Sequence, residues 1–174
     1  MKKNSSFYTE EENKDFELLE LFNNKLKLTE LGKAPSKHYY DASGYTSTLQ
    51  YVEMELKNRN GEFIDSNSVR MYTAKTNKPY TATTIYIEPQ HYSRMKDDSE
   101  WDKNIVPLYI NFLNDNTTLV WKLNALKKKP EWKWVTHIWD EGKREYKDEW
   151  RILLPINEAY IYQNNELKCK PNDK

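Results

Sequence analysis

Apolar and polar residues alternate along this chain with two different periods. Between residues 15 and 28 the period is that of an α-helix, and Glu17 and Glu20 lie on its polar arc. The opposite, apolar arc carries Leu18, Leu19, Phe22 and Leu26. This segment is therefore predicted to be an amphipathic helix whose apolar arc packs against the rest of the protein.

A period of two is cleanest at residues 51–57, which predicts a β-strand with two different faces. The apolar face carries Val52, Met54 and Leu56. The polar face carries Tyr51, Glu53, Glu55 and Lys57. Residues 60 and 61, Asn and Gly, are a turn signal that ends this strand.

The remaining elements follow from composition and turn signals. Strands are predicted at residues 37–41, 81–87, 105–113 and 118–123, and a hairpin at residues 132–139 and 149–154. Pro89 suits the first turn of a helix that runs to about residue 96. The polar residues 62–80 show no convincing period and are predicted to be a long loop. Together these elements predict an α/β or α+β fold with a mixed central sheet.

Composition adds a bound on size and class. The 174 residues predict one domain, with residues 1–12 and 164–174 as loose tails. Although only 37% of residues are hydrophobic, the 14% of aromatic residues argues against a disordered chain. The 27 basic and 27 acidic residues cancel, which excludes a protein that binds polyanions by bulk charge.

Cellular location is predicted from what the chain lacks. It has no apolar run near the ~20 residues of a membrane span, and no apolar stretch follows the first two lysines. Its single cysteine, Cys169, excludes an internal disulfide. We therefore expect a cytoplasmic protein without membrane contact, in the host cytoplasm if a phage encodes it.

One group of residues has the chemistry of a catalytic site. Glu55 and Lys57 share a face of the predicted strand, and Asp41 lies 14 positions before Glu55, beside a glycine turn. Two carboxylates that meet at a sheet edge are the oxygen ligands that Mg²⁺ prefers, with Mn²⁺ as the alternative metal. A lysine beside them can orient water or stabilise charge on a phosphate. The competing interpretation is a solvent-facing Glu–Lys pair, which is common in a chain that is 31% charged.

This pattern, Asp41 followed by Glu55-x-Lys57 on the next strand, resembles the PD-(D/E)XK nuclease superfamily. The order of elements is similar over residues 15–123: a helix, an Asp-bearing strand, the Glu-x-Lys strand, a third strand and a helix. Three runs of this chain resemble sequences of small phage-type and bacterial members: VEMELKNR at 52–59, IYIEPQHY at 85–92 and PLYINF at 107–112. The resemblance implies an α/β fold: a restriction-endonuclease-like core, with a mixed central β-sheet flanked by helices, and a β-rich C-terminal extension.

The resemblance also implies roles for individual residues. Asp41 and Glu55 would bind the metal, and Lys57 would be the catalytic lysine. Glu17 or Glu20 would match the acid that some members contribute from the first helix. Substrate-orienting groups at the rim would correspond to Glu88, Gln90 and Tyr92. Two positions depart from the family pattern, because Tyr40 replaces a proline and Gln90 stands where lysine is usual.

Two neighbouring residues are given other roles. Glu53 shares the face of Glu55, and we expect it at the sheet periphery in a salt bridge with Lys or Arg. His91 is expected on the helix surface, because such enzymes use metal-bound water and lysine.

A second feature is basic and aromatic. Residues 127–134 interleave lysines with tryptophans, a pattern typical of a path for nucleic acid. The candidate contacts in this segment are Lys127, Lys128, Lys129 and Lys133. Further candidates follow the Glu-x-Lys strand: Arg59, Arg70, Lys75 and Lys78. The alternative is a lysine-rich loop before a strand whose tryptophans lie in the core, which we favour for Trp134.

The leading functional hypothesis is a Mg²⁺-dependent endonuclease that hydrolyses DNA phosphodiesters. The alternative is a non-catalytic nucleic-acid-binding or phage-associated structural or assembly protein on the same fold. A third option is a plain protein-interaction module, which would have no cleft over Glu55. Restriction-like members of the superfamily often dimerise, so a homodimer or an assembly with phage proteins is a further expectation.

Overall fold

The computed structural model describes residues 9–35, 38–73, 76–140 and 145–171, and this part of the chain is an α/β structure built mostly of strands. In chain order its elements are α1 Glu10–Leu26, β1 Thr29–Lys33, β2 Ala42–Tyr45, β3 Tyr51–Arg59, β4 Gly61–Asp65, β5 Ser68–Tyr72, β6 Pro79–Ala82, β7 Thr84–Ile87, α2 Pro89–Trp101, β8 Ile105–Leu113, β9 Thr117–Lys122, β10 Glu131–Asp140, β11 Glu145–Pro155, β12 Tyr160–Gln163 and β13 Glu166–Cys169. Short 3₁₀ turns span Leu123–Ala125 and Ile156–Glu158.

The main sheet has seven strands in the order β1-β2-β3-β8-β9-β12-β13. Its neighbours are antiparallel except β3 and β8, which run parallel from the pair Tyr51–Ile105 to the pair Arg59–Leu113. The predicted mixed central sheet is thus confirmed. A parallel pair needs a long crossover, and the chain between β3 and β8 supplies it through β4–β7 and α2.

Helix α1 covers one face of this sheet. Its residues Leu19 and Phe22 are 0% and 2% exposed and pack with Met54 and Leu56 of β3. The helix begins earlier than the apolar period predicts, because Thr9 caps it in a reciprocal pair with Glu12. Residues 10–12 thus form the first turn of α1, within the segment that is expected to be a loose N-terminal tail.

The other face of the main sheet packs against α2 and a three-stranded sheet in the order β10-β11-β7. Tyr109 and Trp121 of the main sheet are fully buried there, with Ile87 and Ile152 of the smaller sheet. The indole N–H of Trp121 donates to the carbonyl of Pro155 at 2.8 Å, which ties the two sheets together.

Two predictions about local structure are wrong, and a third segment contains a strand pair. Residues 62–80 contain strands of a separate three-stranded sheet, β4-β5-β6, instead of a long loop. These strands are short, and only Val69 and Met71 of β5 are buried apolar residues, too few to produce a visible period. Asp41 does not end a strand at 37–41 but directly precedes β2, and Lys37 lies outside the described residues. In the C-terminal segment expected to be loose, β13 pairs with β12.

In the described part of the chain, neither helix combines the length and apolar character needed to cross a bilayer.

The packing of α1 on the sheet predicts an asymmetric response to mutation. We expect Phe22→Ala to lower the free energy of unfolding by about 3–5 kcal/mol, because it leaves a cavity under the helix. Leu21→Ala is the matched control, since Leu21 is 71% exposed and should change stability by less than about 0.5 kcal/mol. Urea denaturation followed by circular dichroism measures both, and equal losses would contradict this packing.

Candidate active site

Strand β3 is buried on both faces, and its ionisable residues all lie on one of them. Val52, Met54 and Leu56 point into the core under α1. By the period of two, the opposite face carries Tyr51, Glu53, Glu55, Lys57 and Arg59. Glu55 is 1% exposed, whereas the side chain of Lys57 is 38% exposed and reaches solvent.

Asp41 is fixed against the middle of β3 by two hydrogen bonds. Its backbone N–H donates to the carbonyl of Met54, and its carboxylate Oδ2 accepts from the N–H of Leu56, both at 2.8 Å. The antiparallel pair Ala42–Met54 sets this position one residue before β2 begins. The structure thus brings Asp41 and Glu55 together, as the sequence pattern predicts.

The electrostatics of this group reflect two acids confined beside one ammonium group. Burial, and next the charge of Glu55, raise the pKa of Asp41 to about 7. Nζ of Lys57 lies 3.2 Å from Oε1 of Glu55. Burial lowers the pKa of Lys57, but the charges of Glu55 and Asp41 outweigh it, so the net shift is upward. Lys57 is therefore an ammonium ion at neutral pH and not a base.

His91 belongs to this group as well, although its position in the sequence predicts a helix-surface residue. Its Nδ1 lies 2.7 Å from Oε1 of Glu55, without the alignment of a good hydrogen bond, and its side chain is only 19% exposed. Burial lowers the pKa of His91, but its contact with Glu55 raises the pKa more. The expectation of a surface position is wrong, since α2 begins directly after β7 and turns its first residues over Glu55.

The predicted rim residues of α2 have different environments. Glu88 precedes the helix, with Oε2 3.8 Å from Nε2 of His91, and accepts a 3.3 Å hydrogen bond from the exposed Gln90. Tyr92 does not lie at a rim, because it is 6% exposed and packs in the core with Met95.

The carboxylate of α1 that faces the sheet is Asp15. It is 7% exposed, and its Oδ1 has no hydrogen-bond partner in the described part of the chain. Burial raises the pKa of Asp15, and the charges of Lys57 and Glu55 also act on it. Glu17 and Glu20 are exposed. Asp15 lies four residues before Leu19 on the apolar arc, and a carboxylate on that arc is the signal that points to it.

Glu53 is a further buried acid next to the site. It is 3% exposed, and its Oε2 has no hydrogen-bond partner among the described residues, so the predicted peripheral salt bridge is wrong. Burial raises its pKa to about 7. Tyr40 and Tyr51 lie nearby, with their hydroxyls 2.9 Å apart.

Arg59, a candidate for nucleic-acid contact, has its donors engaged inside the protein. Its guanidinium donates to the side chain of Asn111, to the carbonyl of Tyr86 at 3.0 Å and to the hydroxyl of Tyr109 at 2.8 Å. It also lies over the ring of Tyr86, 4.4 Å from the centroid, and Arg151 lies 3.7 Å from the same centroid. Arg59 thus joins β3 to β7 and β8.

The remaining basic candidates lie at the surface. Lys127, Lys128, Lys129 and Lys133 are all exposed. Arg70 is 3.5 Å from Glu62 in an exposed ion pair, Lys78 is exposed, and Lys75 lies outside the described residues. Trp134 is 52% exposed, so the interpretation that favours a core position for it is wrong.

Solvent reaches this group of residues at Lys57, whose side chain is 38% exposed, whereas that of Glu55 is 1% exposed. A groove of about 450 Å³ beside α1 is lined by residues such as Lys14, Phe22 and Asn58, and not by Asp41, Glu55 or Lys57. No three His, Cys, Asp or Glu side chains in the described ranges are grouped closely enough to hold a metal ion by themselves. A metal here would have to complete its coordination with water or substrate.

The buried charge of Glu53 predicts a pH-dependent stability. Burial raises the pKa of Glu53 from 4.5 to about 7, so the folded protein holds this proton more tightly than the unfolded chain does. The stability that the proton contributes is fully present below pH 4.5 and is lost as the pH rises through 7. We expect Glu53→Gln to gain up to about 3 kcal/mol relative to wild type between pH 4.5 and pH 8. Thermal unfolding at both values tests this, with the exposed Glu20→Gln as control. A difference independent of pH would contradict it.

Comparison of the chain with known protein families, with curated proteins and with solved structures finds no match. Function is therefore inferred from the geometry of the site.

Proposed function

We propose that this protein is a Mg²⁺-dependent endonuclease that hydrolyses DNA phosphodiesters on a restriction-endonuclease-like core. The observation that carries the proposal is the half-buried Asp41 beside the buried Glu55, with the ammonium group of Lys57 on the strand of Glu55. Two neighbouring carboxylates with a protonated lysine form a site suited to a cation and a phosphate.

The order of elements supports the same core. α1 is followed by β1 and β2, then by β3 with Glu55 and Lys57, and after β4–β6 come β7 and α2. The two helices pack on opposite faces of the main sheet. The order of helix, strands and helix agrees with the resemblance to PD-(D/E)XK nucleases, with β4–β6 inserted, with Asp41 just before β2 and with β7 in the smaller sheet.

The residues present fit a divalent metal. Asp41 and Glu55 supply hard oxygen atoms, and Oε2 of Glu55 is buried with no hydrogen-bond partner in the described residues. Magnesium in proteins is commonly held by one or two carboxylates plus water and substrate phosphates, which suits a site with two protein ligands. When bound, such an ion lowers the pKa of coordinated water and polarises a phosphoryl oxygen.

The protein's own residues act around that ion. Lys57 stays protonated and partly exposed, so it can donate to water or to a phosphate oxygen and stabilise the charge that develops in the transition state. His91 contacts Glu55 and thereby restrains its carboxylate. The backbone N–H of Leu56 donates a hydrogen bond to the carboxylate of Asp41 and restrains it as well.

The two neighbours of the Glu55 carboxylate favour the second candidate, a non-catalytic nucleic-acid-binding or phage-associated assembly protein. Oε1 of Glu55 has both Lys57 and His91 as neighbours, so its charge is balanced by the protein. A site satisfied in this way can serve structure alone. The presence or absence of metal-dependent cleavage separates the two candidates.

The catalytic proposal predicts the behaviour of three variants. Asp41→Asn, Glu55→Gln and Lys57→Ala should each slow cleavage of plasmid and single-stranded DNA in Mg²⁺ or Mn²⁺ by about 100-fold or more, because each removes a group that acts on the transition state. EDTA should abolish cleavage by wild type.

The matched control for cleavage is Glu17→Gln, which changes an exposed carboxylate of α1. It should cleave at the wild-type rate. If wild type and all three site variants behave alike on every substrate, RNA included, the catalytic proposal is wrong and the binding alternative remains.

Metal binding itself predicts a shift in stability that does not require cleavage. Excess Mg²⁺ should raise the Tm of wild type, since a ligand at a hundred times its Kd adds about 2.7 kcal/mol. Asp41→Asn should have a higher Tm than wild type without metal at pH 8, because it removes a buried charge beside Glu55, and should not respond to Mg²⁺. Differential scanning calorimetry measures both. An equal response of variant and wild type would exclude Asp41 as a ligand.

A further inference from the structure

The hairpin β10–β11 extends beyond the sheet that anchors it. β11 pairs with β7 only from Ile152 to Pro155, whereas its pairing with β10 continues to the pair Asp140–Glu145. The distal part of the hairpin is therefore a two-stranded arm. Its base belongs to the core, since Ile152 and Leu154 are fully buried.

One face of this arm is formed by tryptophans. Trp132 lies opposite Ile152, and Trp134 lies opposite Trp150, so the three indoles share the face that is buried at the base. Trp132, Trp134 and Trp150 are 45%, 52% and 49% exposed. We call these three residues the Trp face. Trp134 and Trp150 contact edge to face, with centroids 5.2 Å apart, an arrangement that leaves indole surface available.

Positive charge lies in the loop that leads into the Trp face. Lys127, Lys128 and Lys129 precede β10 and are exposed, whereas the exposed Lys133 lies between two of the tryptophans in sequence but on the opposite face of the strand. None of the four forms an ion pair with a residue in the described ranges. The buried carboxylate of Glu158 accepts from the backbone N–H groups of Lys127 and Lys128 at 2.7 and 3.2 Å, which fixes the start of this loop.

We propose that the Trp face binds an unpaired strand of DNA, with bases stacked on the indoles and phosphates on the lysines. Exposed indoles that follow a loop of three lysines match the two components of a single strand, its base faces and its phosphates. A duplex hides its base faces.

The arm is connected to the candidate active site through packed side chains. Arg151 follows Trp150 and lies over the ring of Tyr86, which also packs under Arg59. Arg59 is two residues from Lys57 on the same face of β3. The inference rests on the proposed function in one respect: the strand on the Trp face is taken to be the substrate, or the unpaired part of the substrate, of that site.

The experiment measures binding without cleavage. Fluorescence anisotropy in EDTA compares a labelled oligothymidylate with an abasic oligomer of equal length and with a duplex. We expect wild type to bind oligothymidylate most tightly. The double variant with Trp134→Ala and Trp150→Ala should weaken that binding by about 10-fold or more, to the level of the abasic oligomer. Trp134→Phe, which keeps a ring to stack on, should retain most of the affinity.

The control is Trp101→Ala, because Trp101 is 94% exposed at the end of α2 and outside the arm. It should bind like wild type. Circular dichroism establishes that each variant is folded, and the comparison of oligothymidylate with the abasic oligomer on wild type tests stacking even if the double variant does not fold.

Three results would overturn the inference. They are equal affinity of wild type for the oligothymidylate and the abasic oligomer, unchanged binding by the folded double variant with Trp134→Ala and Trp150→Ala, and a Trp-dependent oligomer without Trp-dependent DNA binding. The failure of this inference can be distinguished from the failure of the proposed function. Absence of stacking together with metal-dependent cleavage refutes the binding role of the Trp face alone. Tight stacking without metal-dependent cleavage refutes the nuclease alone.

Discussion

The burial of ionisable side chains on β3 is the constraint on which the rest of this structure depends. Glu55 is almost completely inaccessible to water, and an isolated carboxylate there would be too costly to keep ionised. Lys57 and His91 approach it from two elements, and Asp41 is held beside it by the backbone of β3. The apolar face of the same strand anchors α1, so one strand organises both the core and the charge.

The described part of this site contains more carboxylates than nearby positive charges can neutralise. Asp41 and Glu53 both have a pKa raised to about 7, and burial is the first cause for each. Such groups lower stability at neutral pH, and proteins commonly retain them where function requires charge. A divalent cation bound by these carboxylates would turn this cost into binding energy, which is the physical basis of the metal-dependent function proposed above.

Residue patterns predict those parts of the fold whose neighbours in sequence are also neighbours in space. The alternation in β3 and the apolar run of β8 are local, and Asp41 meets Glu55 through a hairpin. His91 could not be placed, because its contact with Glu55 depends on how α2 crosses the sheet. Asp15 was open to prediction from its place on the apolar arc of α1. The exposure of Trp134 was not, since it depends on β7 being shorter than the hairpin that it anchors.

The single parallel pair of the main sheet has a consequence for how the site forms. Asp41, Glu55 and Lys57 come from one antiparallel hairpin, whose closure costs little chain entropy. The partner strand β8 begins about fifty residues after the start of β3, so its pairing is a slow, non-local event. The hairpin alone would leave these acids exposed to water, with their charges easily solvated. The raised pKa values of Asp41 and Glu53, whose first cause is burial, therefore depend on the non-local packing around the hairpin and not on the hairpin itself.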